Sequence, residues 1–199
     1  MKTLIVTGGT GGLGTAVVER LSRDYECVLL RHAEVDLSDE RAVRDALAPH
    51  TPYGLVHMAG GYAGGKVSET TGADWQRMIG LNLTASFIAI RETLARMRRD
   101  APGRIVAISS EATLTKFAGA AAYTVSKTGL NTLIEMTAAE LAGTPITANA
   151  LLPGTLDTPA SRAAMPDARR VPLGHVADTV LFLLSDAAAS INGTLVRLP

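Results

Sequence analysis

The chain of 199 residues is predicted to be an α/β protein, a doubly wound parallel sheet flanked by helices. Three observations carry that prediction. Short runs rich in Val, Ile and Leu alternate with longer segments of helical period, the pattern of stacked βαβ units. Several of the apolar runs lack strict alternation, as parallel strands covered on both faces do. The length, with 47% hydrophobic residues, fits a single core by the measure of ~150 residues per domain. At this size folding buries roughly 70% of the unfolded chain's surface, so no disulfide or metal staple is required.

Strands are read in chain order at TLIVT (3–7), CVLLR (27–31), a short AEVD (33–36), GLVHM (54–58), GRIVAIS (103–109), ITANAL (146–151) and TLVRL (194–198). Helices are expected at about 12–23, 38–48, 73–99, 120–142 and 174–185. In the helix at 73–99, Trp75, Met78, Ile79, Leu83, Phe87 and Ile90 recur at three- and four-residue spacing, which lays one apolar stripe against the sheet with Trp75 in the core. Ser38, ahead of Asp39 and Glu40, reads as an N-cap with acids in the first helical turn. Only Arg31 and His32 separate the second strand from AEVD, so no helix fits between those two. No repeat, low-complexity tract or Pro-rich linker divides residues 1–199, which are read as one domain. Right-handed crossovers place ligands at the carboxyl ends of such strands. The loops Gly8–Gly14, Ala59–Thr71 and Leu152–Pro172 would lie there.

Charge and composition exclude several classes of function. Nineteen basic and nineteen acidic residues cancel, whereas a nucleic-acid binder shows a basic excess on one face. The N-terminus offers only Thr3 to Val6 before glycines begin, too little apolar chain for a signal peptide. The longest charge-free run, Ala46 to Gly65, holds two prolines and five glycines, which a membrane-spanning helix does not tolerate well. A single Cys27 permits no internal disulfide and reads as core packing. A soluble protein of the reducing cytoplasm is expected. His32, His50, His57 and His175 show no metal-ligand spacing, so no metal site is assigned.

After the first strand comes TGGTGGLG, Thr7 to Gly14, followed by the apolar positions Ala16, Val17, Val18 and Leu21 of a helix. Strand, glycine turn and helix N-terminus together bring backbone N–H groups and a helix dipole to one place, a seat for a pyrophosphate. A phosphate-binding P-loop is excluded, because Thr15 stands where that motif needs Lys. Tyr123 and Lys127, four apart, share a helix face. An ammonium beside a phenol would favour the phenolate and lower the tyrosine pKa into the range of a general acid; a surface Tyr packed on a lysine stem has the same spacing. Ser110 ends a strand at the edge where chemistry is expected, and is also an ordinary turn residue. Asn82 falls on the apolar stripe of its helix. A buried amide must find partners, either in a helix–helix contact or by opening the helix and anchoring a water.

Taken jointly, TGGTGGLG, Asp36 in VDL, HMAG (57–60), Asn82, Ser110, YTVSK (123–127) and LPGTLDTP (152–159) resemble the short-chain dehydrogenase/reductase family across nearly the whole chain. The resemblance implies a Rossmann-type sheet and hydride transfer between a nicotinamide and a small carbonyl or alcohol substrate. It implies Tyr123 as proton donor, Ser110 as a hydrogen-bond partner of the same oxygen, Lys127 on the nicotinamide ribose, and Asn82 positioning a relay water. For the cofactor it implies Gly8, Thr10, Gly11, Gly12, Leu13 and Gly14 at the pyrophosphate, and Asp36 with Leu37 at the adenine. Ala59, Gly60 and Gly61 would meet the adenosine ribose, and Pro153, Gly154, Thr155 and Thr158 the nicotinamide side. Where the family commonly has two asparagines, this chain has His57 and Met58, which puts the hydrogen bonds of that turn in question.

AGGYAGGK (59–66) and LPGTLDTPASRAAMPDA (152–168) are similar to dihydropteridine reductases, although those enzymes typically lack the serine present here as Ser110. A dinucleotide-sensing module without turnover is the reading from another class. For the cofactor, the residues closing the second strand decide. Arg31 offers a planar fork suited to a 2′-phosphate and nothing acidic precedes Glu34, so NADP is favoured, with NAD the alternative if Glu34 takes the ribose. Apolar surface on the helices near 73–99 and 120–142, which the family commonly uses for pairing, leads to an expected homodimer or homotetramer.

Overall fold

A computed structural model describes residues 1–199. Six strands form one parallel sheet: β1 (Lys2–Thr7), β2 (Tyr25–Leu30), β3 (Gly54–His57), β4 (Gly103–Ile108), β5 (Ile146–Pro153) and β6 (Leu195–Leu198), in the order β2-β1-β3-β4-β5-β6. The chain leaves β1 toward one side of the sheet and returns past it to β3, so the winding reverses between β1 and β3. The strand ends are level there: Thr7 is opposite both Leu30 and His57, and His57 is opposite Ala107.

The helices are α1 (Gly12–Leu21), α2 (Glu40–Leu47), α3 (Gly72–Ile79), α4 (Ala85–Leu94), α5 (Ala112–Thr115), α6 (Ala121–Glu140), α7 (Pro159–Ala164) and α8 (Leu173–Leu184). Two apolar layers sandwich the sheet. On one face Val43 and Leu47 of α2, Ile88 and Ile90 of α4 and Leu130 and Ile134 of α6 pack against Ile5, Leu55 and Ile105. On the other, Val17 and Leu21 of α1 and Val176, Val180 and Leu183 of α8 pack against Leu4, Val6, Val56 and Val106. Strand residues alternate between the two layers, each layer covering one face of the pleat. Cys27 is half-buried against the second layer. No helix is long and apolar enough to cross a membrane.

Three expectations are corrected. AEVD (33–36) is a turn and not a strand: the Glu34 and Val35 amides both fold back onto the Arg31 carbonyl at 2.9 Å, so they cannot join a ladder. With that strand gone, α2 is the β2-to-β3 crossover, and two strands without a helix between them no longer occur. The cap of α2 is Asp39, whose carboxylate accepts from the Arg41 and Ala42 amides, while the Ser38 hydroxyl donates to Asp36. The long helix at 73–99 is interrupted by a π-helical turn at Gly80–Thr84. A π turn holds one residue more than an α turn and rotates the faces on either side out of register. Met78, Ala85, Ile88 and Ile90 are therefore buried, whereas Trp75 and Phe87 are exposed at 39% and 43%.

Candidate active site

The carboxyl ends of β1, β3, β4 and β5 carry three connected recesses. The glycine turn lies between the first two of these strands. Gly8 has φ +69°, in the left-handed region, and a Cβ there would stand 2.5 Å from the Ala59 amide nitrogen. A Cβ on Gly14 would lie 2.1 Å from the Gly8 carbonyl oxygen. Only glycine lets the turn close so tightly against both β3 and the first turn of α1. Gly11 caps α1 without any side-chain bond, so the leading N–H groups of the helix, from Gly12 and Leu13 on, have no intrahelical partner. Those donors and the positive end of the helix fit a pyrophosphate.

On the adenosine side of the turn, Gly8, Thr10, Asp36, Leu37, Ala59 and Gly60 line a groove of about 590 Å3 together with Leu30, His32, Ser38 and, from the opposite wall, Arg77, Gly80, Leu81 and Ala85. Asp36 accepts from both the amide (2.8 Å) and the hydroxyl (2.7 Å) of Ser38, which hold its carboxyl below the usual range. Arg31 departs from expectation. Its guanidinium pairs with Glu34 at 3.3 Å, and His32, next in the chain, lines the groove instead. Because the chain turns immediately after Leu30, the alternation of the strand ends there and the two side chains go separate ways.

On the other side of the turn, Gly11, Gly12, Leu13, Gly14, Gly60 and Gly61 meet Ser110, Tyr123, Lys127, Pro153 and Gly154 around a second recess. Thr158 caps α7 through a box with Ser161, and its methyl carbon lies 3.6 Å from where a Gly12 Cβ would stand. Lys127 is buried, and its ammonium donates to the Ile108 carbonyl at 2.8 Å. Burial pulls its pKa down to about 8. The Tyr123 phenol moves the opposite way from the sequence-based expectation. Burial raises it, opposed by the Ser110 hydroxyl, and the neighbouring Tyr62 raises it further. With Lys127 turned to Ile108, the phenol remains a protonated acid at neutral pH.

Asn82 sits in the π turn, fully buried, and its amide is satisfied on both sides. Oδ1 accepts from the Gly61 amide at 2.9 Å, and Nδ2 donates to the Gly61 carbonyl at 3.0 Å and to Ser126 Oγ at 3.1 Å. The helix opens where this side chain leaves it, and the amide clamps the β3 loop to α6.

His57 takes over the task of the expected asparagine. Its Nδ1 is 2.9 Å from Thr7 Oγ1 and its Nε2 is 2.8 Å from Ser86 Oγ. Because the Ser86 hydroxyl donates to the Asn82 carbonyl at 2.7 Å, its oxygen must accept from Nε2–H, leaving Nδ1 to accept from Thr7. One side chain thereby ties β1, β3 and α4 together. Burial, with the Lys127 charge nearby, lowers the His57 pKa to about 3.

The third recess opens beyond Tyr123, about 560 Å3 lined by Tyr62, Ser110, Glu111, Ala112, Thr115, Phe117, Tyr123, Pro153, Gly154, Thr155, Ala164 and Met165. The Tyr62 and Tyr123 rings meet edge to face at 5.0 Å. Tyr62, Glu111, Phe117 and Met165 were not expected here, and neither were His32 and Arg77 in the groove. Tyr62 and Met165 lie inside the AGGYAGGK and LPGTLDTPASRAAMPDA segments that the sequence already marked, and His32 follows Arg31 at the close of the second strand; Glu111, Phe117 and Arg77 lie on turns and helices without a distinguishing pattern.

A family model described as enoyl-(acyl carrier protein) reductase matches residues 4–198. The 3-oxoacyl-[acyl-carrier-protein] reductase MabA of Mycobacterium bovis is 28% identical over 222 residues, covering 98% of this chain and 90% of that protein. The crystal structure of an oxidoreductase of the short-chain dehydrogenase/reductase family from Burkholderia thailandensis superposes with a TM-score of 0.90 at 29% identity, covering 99% of this chain and 90% of that one. A blue fluorescent protein from a metagenomic library, solved in complex with NADPH, gives 0.85 at 25% identity, covering 98% and 95%. With the doubly wound sheet, the glycine turn and the Ser110, Tyr123 and Lys127 constellation in place, the chain belongs to the short-chain dehydrogenase/reductase family of nicotinamide-dependent oxidoreductases.

Proposed function

We propose that this chain reduces a small carbonyl compound, with NADP as its cofactor and Tyr123 as the acid. One observation carries the reading: Ser110 and Tyr123 line both the recess above the glycine turn and the aromatic cavity beyond it, so a reacting carbon can lie between the two. A dinucleotide held by the glycine turn and Lys127 would supply the hydride. Tyr123 donates its proton to the oxygen as charge develops there, and Ser110 holds the same oxygen. Lys127 contributes a fixed positive charge, with two of its three N–H groups free for ribose hydroxyls. Asn82 holds the Gly61 loop in place. A phenol kept protonated by burial suits reduction, because the reverse reaction needs the phenolate.

For NADP the support is the polarity of the adenosine groove. His32, Ser38 and Arg77 line it, Glu34 is engaged by Arg31, and the one acid present, Asp36, is engaged by Ser38. Asp36 is expected at the adenine, and His32 and Arg77 are the groove residues that can meet a 2′-phosphate. Following nicotinamide absorbance with NADPH and a panel of ketones, quinones and dihydropteridines tests the reading; absence of turnover with any would leave the dinucleotide-sensing module. The aromatic wall of Tyr62 and Phe117 favours a cyclic imine such as a dihydropteridine as the second substrate reading.

The proposed assembly is a homodimer or homotetramer, supported by Leu81, Phe87, Val125 and Met136, which stand exposed between 81 and 136. Light scattering that returns 20.8 kDa at micromolar concentration would refute it. The proposed compartment is the cytoplasm, resting on the single Cys27.

A further inference from the structure

The carbonyl-reducing reading leaves open what the substrate looks like, and the cavity beyond Tyr123 constrains it. Its lining contains no lysine, arginine or histidine, and one charged side chain, Glu111. Arg197 of β6 approaches that carboxylate from outside the lining. Both guanidinium bonds, from Nε at 2.7 Å and from Nη2, go to the same oxygen, Oε1. Oε2 has no protein donor. It stands 2.9 Å from where a Cβ of Gly154 would be, over the glycine that the two inner recesses share. The backbone fixes this placement, since the Glu111 amide donates to the Pro153 carbonyl at 2.9 Å and the Glu111 carbonyl accepts the Leu114 amide at 2.9 Å, opening α5.

An acceptor so placed selects a donor. Paired with Arg197, the carboxylate gives the cavity no net positive charge to hold an anionic substrate, and its free oxygen is satisfied by an N–H or O–H on the molecule being reduced. The opposite wall is aromatic, with Tyr62 edge-on to Tyr123 and Phe117 half exposed at 51%, which suits a flat ring. We propose that Glu111 is the specificity-determining residue of this enzyme, its Oε2 accepting a hydrogen bond from a ring N–H of an uncharged, flat, cyclic carbonyl or imine substrate. The proposal rests on the carbonyl-reducing reading above and narrows it to a substrate class.

The test compares isatin, a flat bicyclic ketone with a ring N–H, and N-methylisatin, which lacks that donor. Wild-type enzyme with NADPH is expected to favour isatin by about 10- to 100-fold in kcat/KM, the scale of one hydrogen bond to a charged group. Glu111→Ala should bring the ratio near one. Arg197→Met breaks the same ion pair but leaves Oε2, so it should retain the discrimination; loss of it in both variants would make the effect structural and overturn the proposal. Calorimetric binding of both probes to NADPH-saturated Tyr123→Phe protein reads the preference without turnover. Equal dissociation constants there would overturn the role of Glu111. Discrimination in binding with no turnover by wild type of the isatins or of any ketone, quinone or dihydropteridine in the panel would support Glu111 and overturn the reductase reading, which keeps the two failures apart.

Discussion

The stability of this fold should fall with acid well before its carboxylates protonate, and His57 is the cause. The ring is fully buried, neutral and bonded at both nitrogens. Its pKa is 6.5 when unfolded and about 3 in the fold. A histidine depressed in the native state contributes stability that is whole above pH 6.5 and is lost as pH falls toward 3, because the unfolded chain takes the proton first. Each pH unit in that window is worth about 1.4 kcal/mol. From well above pH 6.5 down to pH 5 the loss is about 2 kcal/mol, and carboxylates with ordinary values near 4 contribute little over the same interval. With a urea m-value of ~2 kcal/mol/M, the unfolding midpoint should drop by about 1 M. The perturbation is His57→Asn, measured beside wild type at each pH. Its midpoint starts lower, because two bonds are weakened, but its curve should be nearly flat from pH 6.5 to 5. His32, His50 and His175 are common to both proteins and cancel in the difference. Parallel curves would refute the reasoning. An NMR titration of wild type gives the same answer without the variant, since the His57 ring should stay neutral below pH 5.

The remaining expectations concern the site. Tyr123→Phe should reduce turnover by about 10²- to 10⁴-fold with the NADPH dissociation constant nearly unchanged; a variant retaining most activity would sink the mechanism. Because burial raises the Tyr123 pKa, carbonyl reduction should be level across neutral pH while alcohol oxidation climbs into the alkaline range, as paired pH–rate profiles would show. His32→Asp should shift preference from NADPH toward NADH by about tenfold or more, and the double variant Arg31→Ala/Glu34→Ala, which removes the pair without freeing an acid, by much less, since neither residue lines the groove; the reverse ranking of dissociation constants would return the 2′-phosphate to Arg31. Gly14→Ala places a Cβ 2.1 Å from the Gly8 carbonyl, so it should lower Tm and weaken dinucleotide binding together, whereas Gly12→Ala, whose Cβ meets nothing closer than 3.6 Å, should leave Tm nearly unchanged.

Much of this architecture is legible in the sequence because parallel strands buried on both faces write uninterrupted apolar runs, and five of the six observed strands overlap their runs almost residue for residue. AEVD misled because Val35 supplies the apolar residue of a strand while the backbone bonds that would make it one are spent on the Arg31 turn. The stripe from Trp75 to Ile90 misled because a 3.6-residue period assumes an unbroken helix, and the π turn at Gly80–Thr84 shifts the phase partway. The candidate acid, serine and lysine could be found because chemistry demands those residue types at fixed spacing. Glu111 and His57 were hidden for a different reason. Their significance lies in which oxygen or nitrogen is bonded to what, a property of three-dimensional contact with no sequence period.

His57 and Lys127 show how the buried polar seam is arranged. Both are nitrogen bases within the same layer beneath the glycine turn, and the Lys127 charge lowers the His57 pKa further. Two cations in that interior would repel each other without a carboxylate to offset them, so the seam has room for one. The geometry decides which. His57 has a donor on one side and an acceptor on the other, Thr7 and Ser86, which suits a neutral imidazole and would leave Thr7 without a proton acceptor if the ring were charged. Lys127 faces a carbonyl oxygen and opens toward the recess between Gly60 and Tyr123, where a charge can be used. An asparagine in place of His57 could bridge the same elements without titrating. Histidine spans the greater distance between β1 and α4, and the acid sensitivity worked out above is the consequence of putting a titratable ring where the family commonly has an amide.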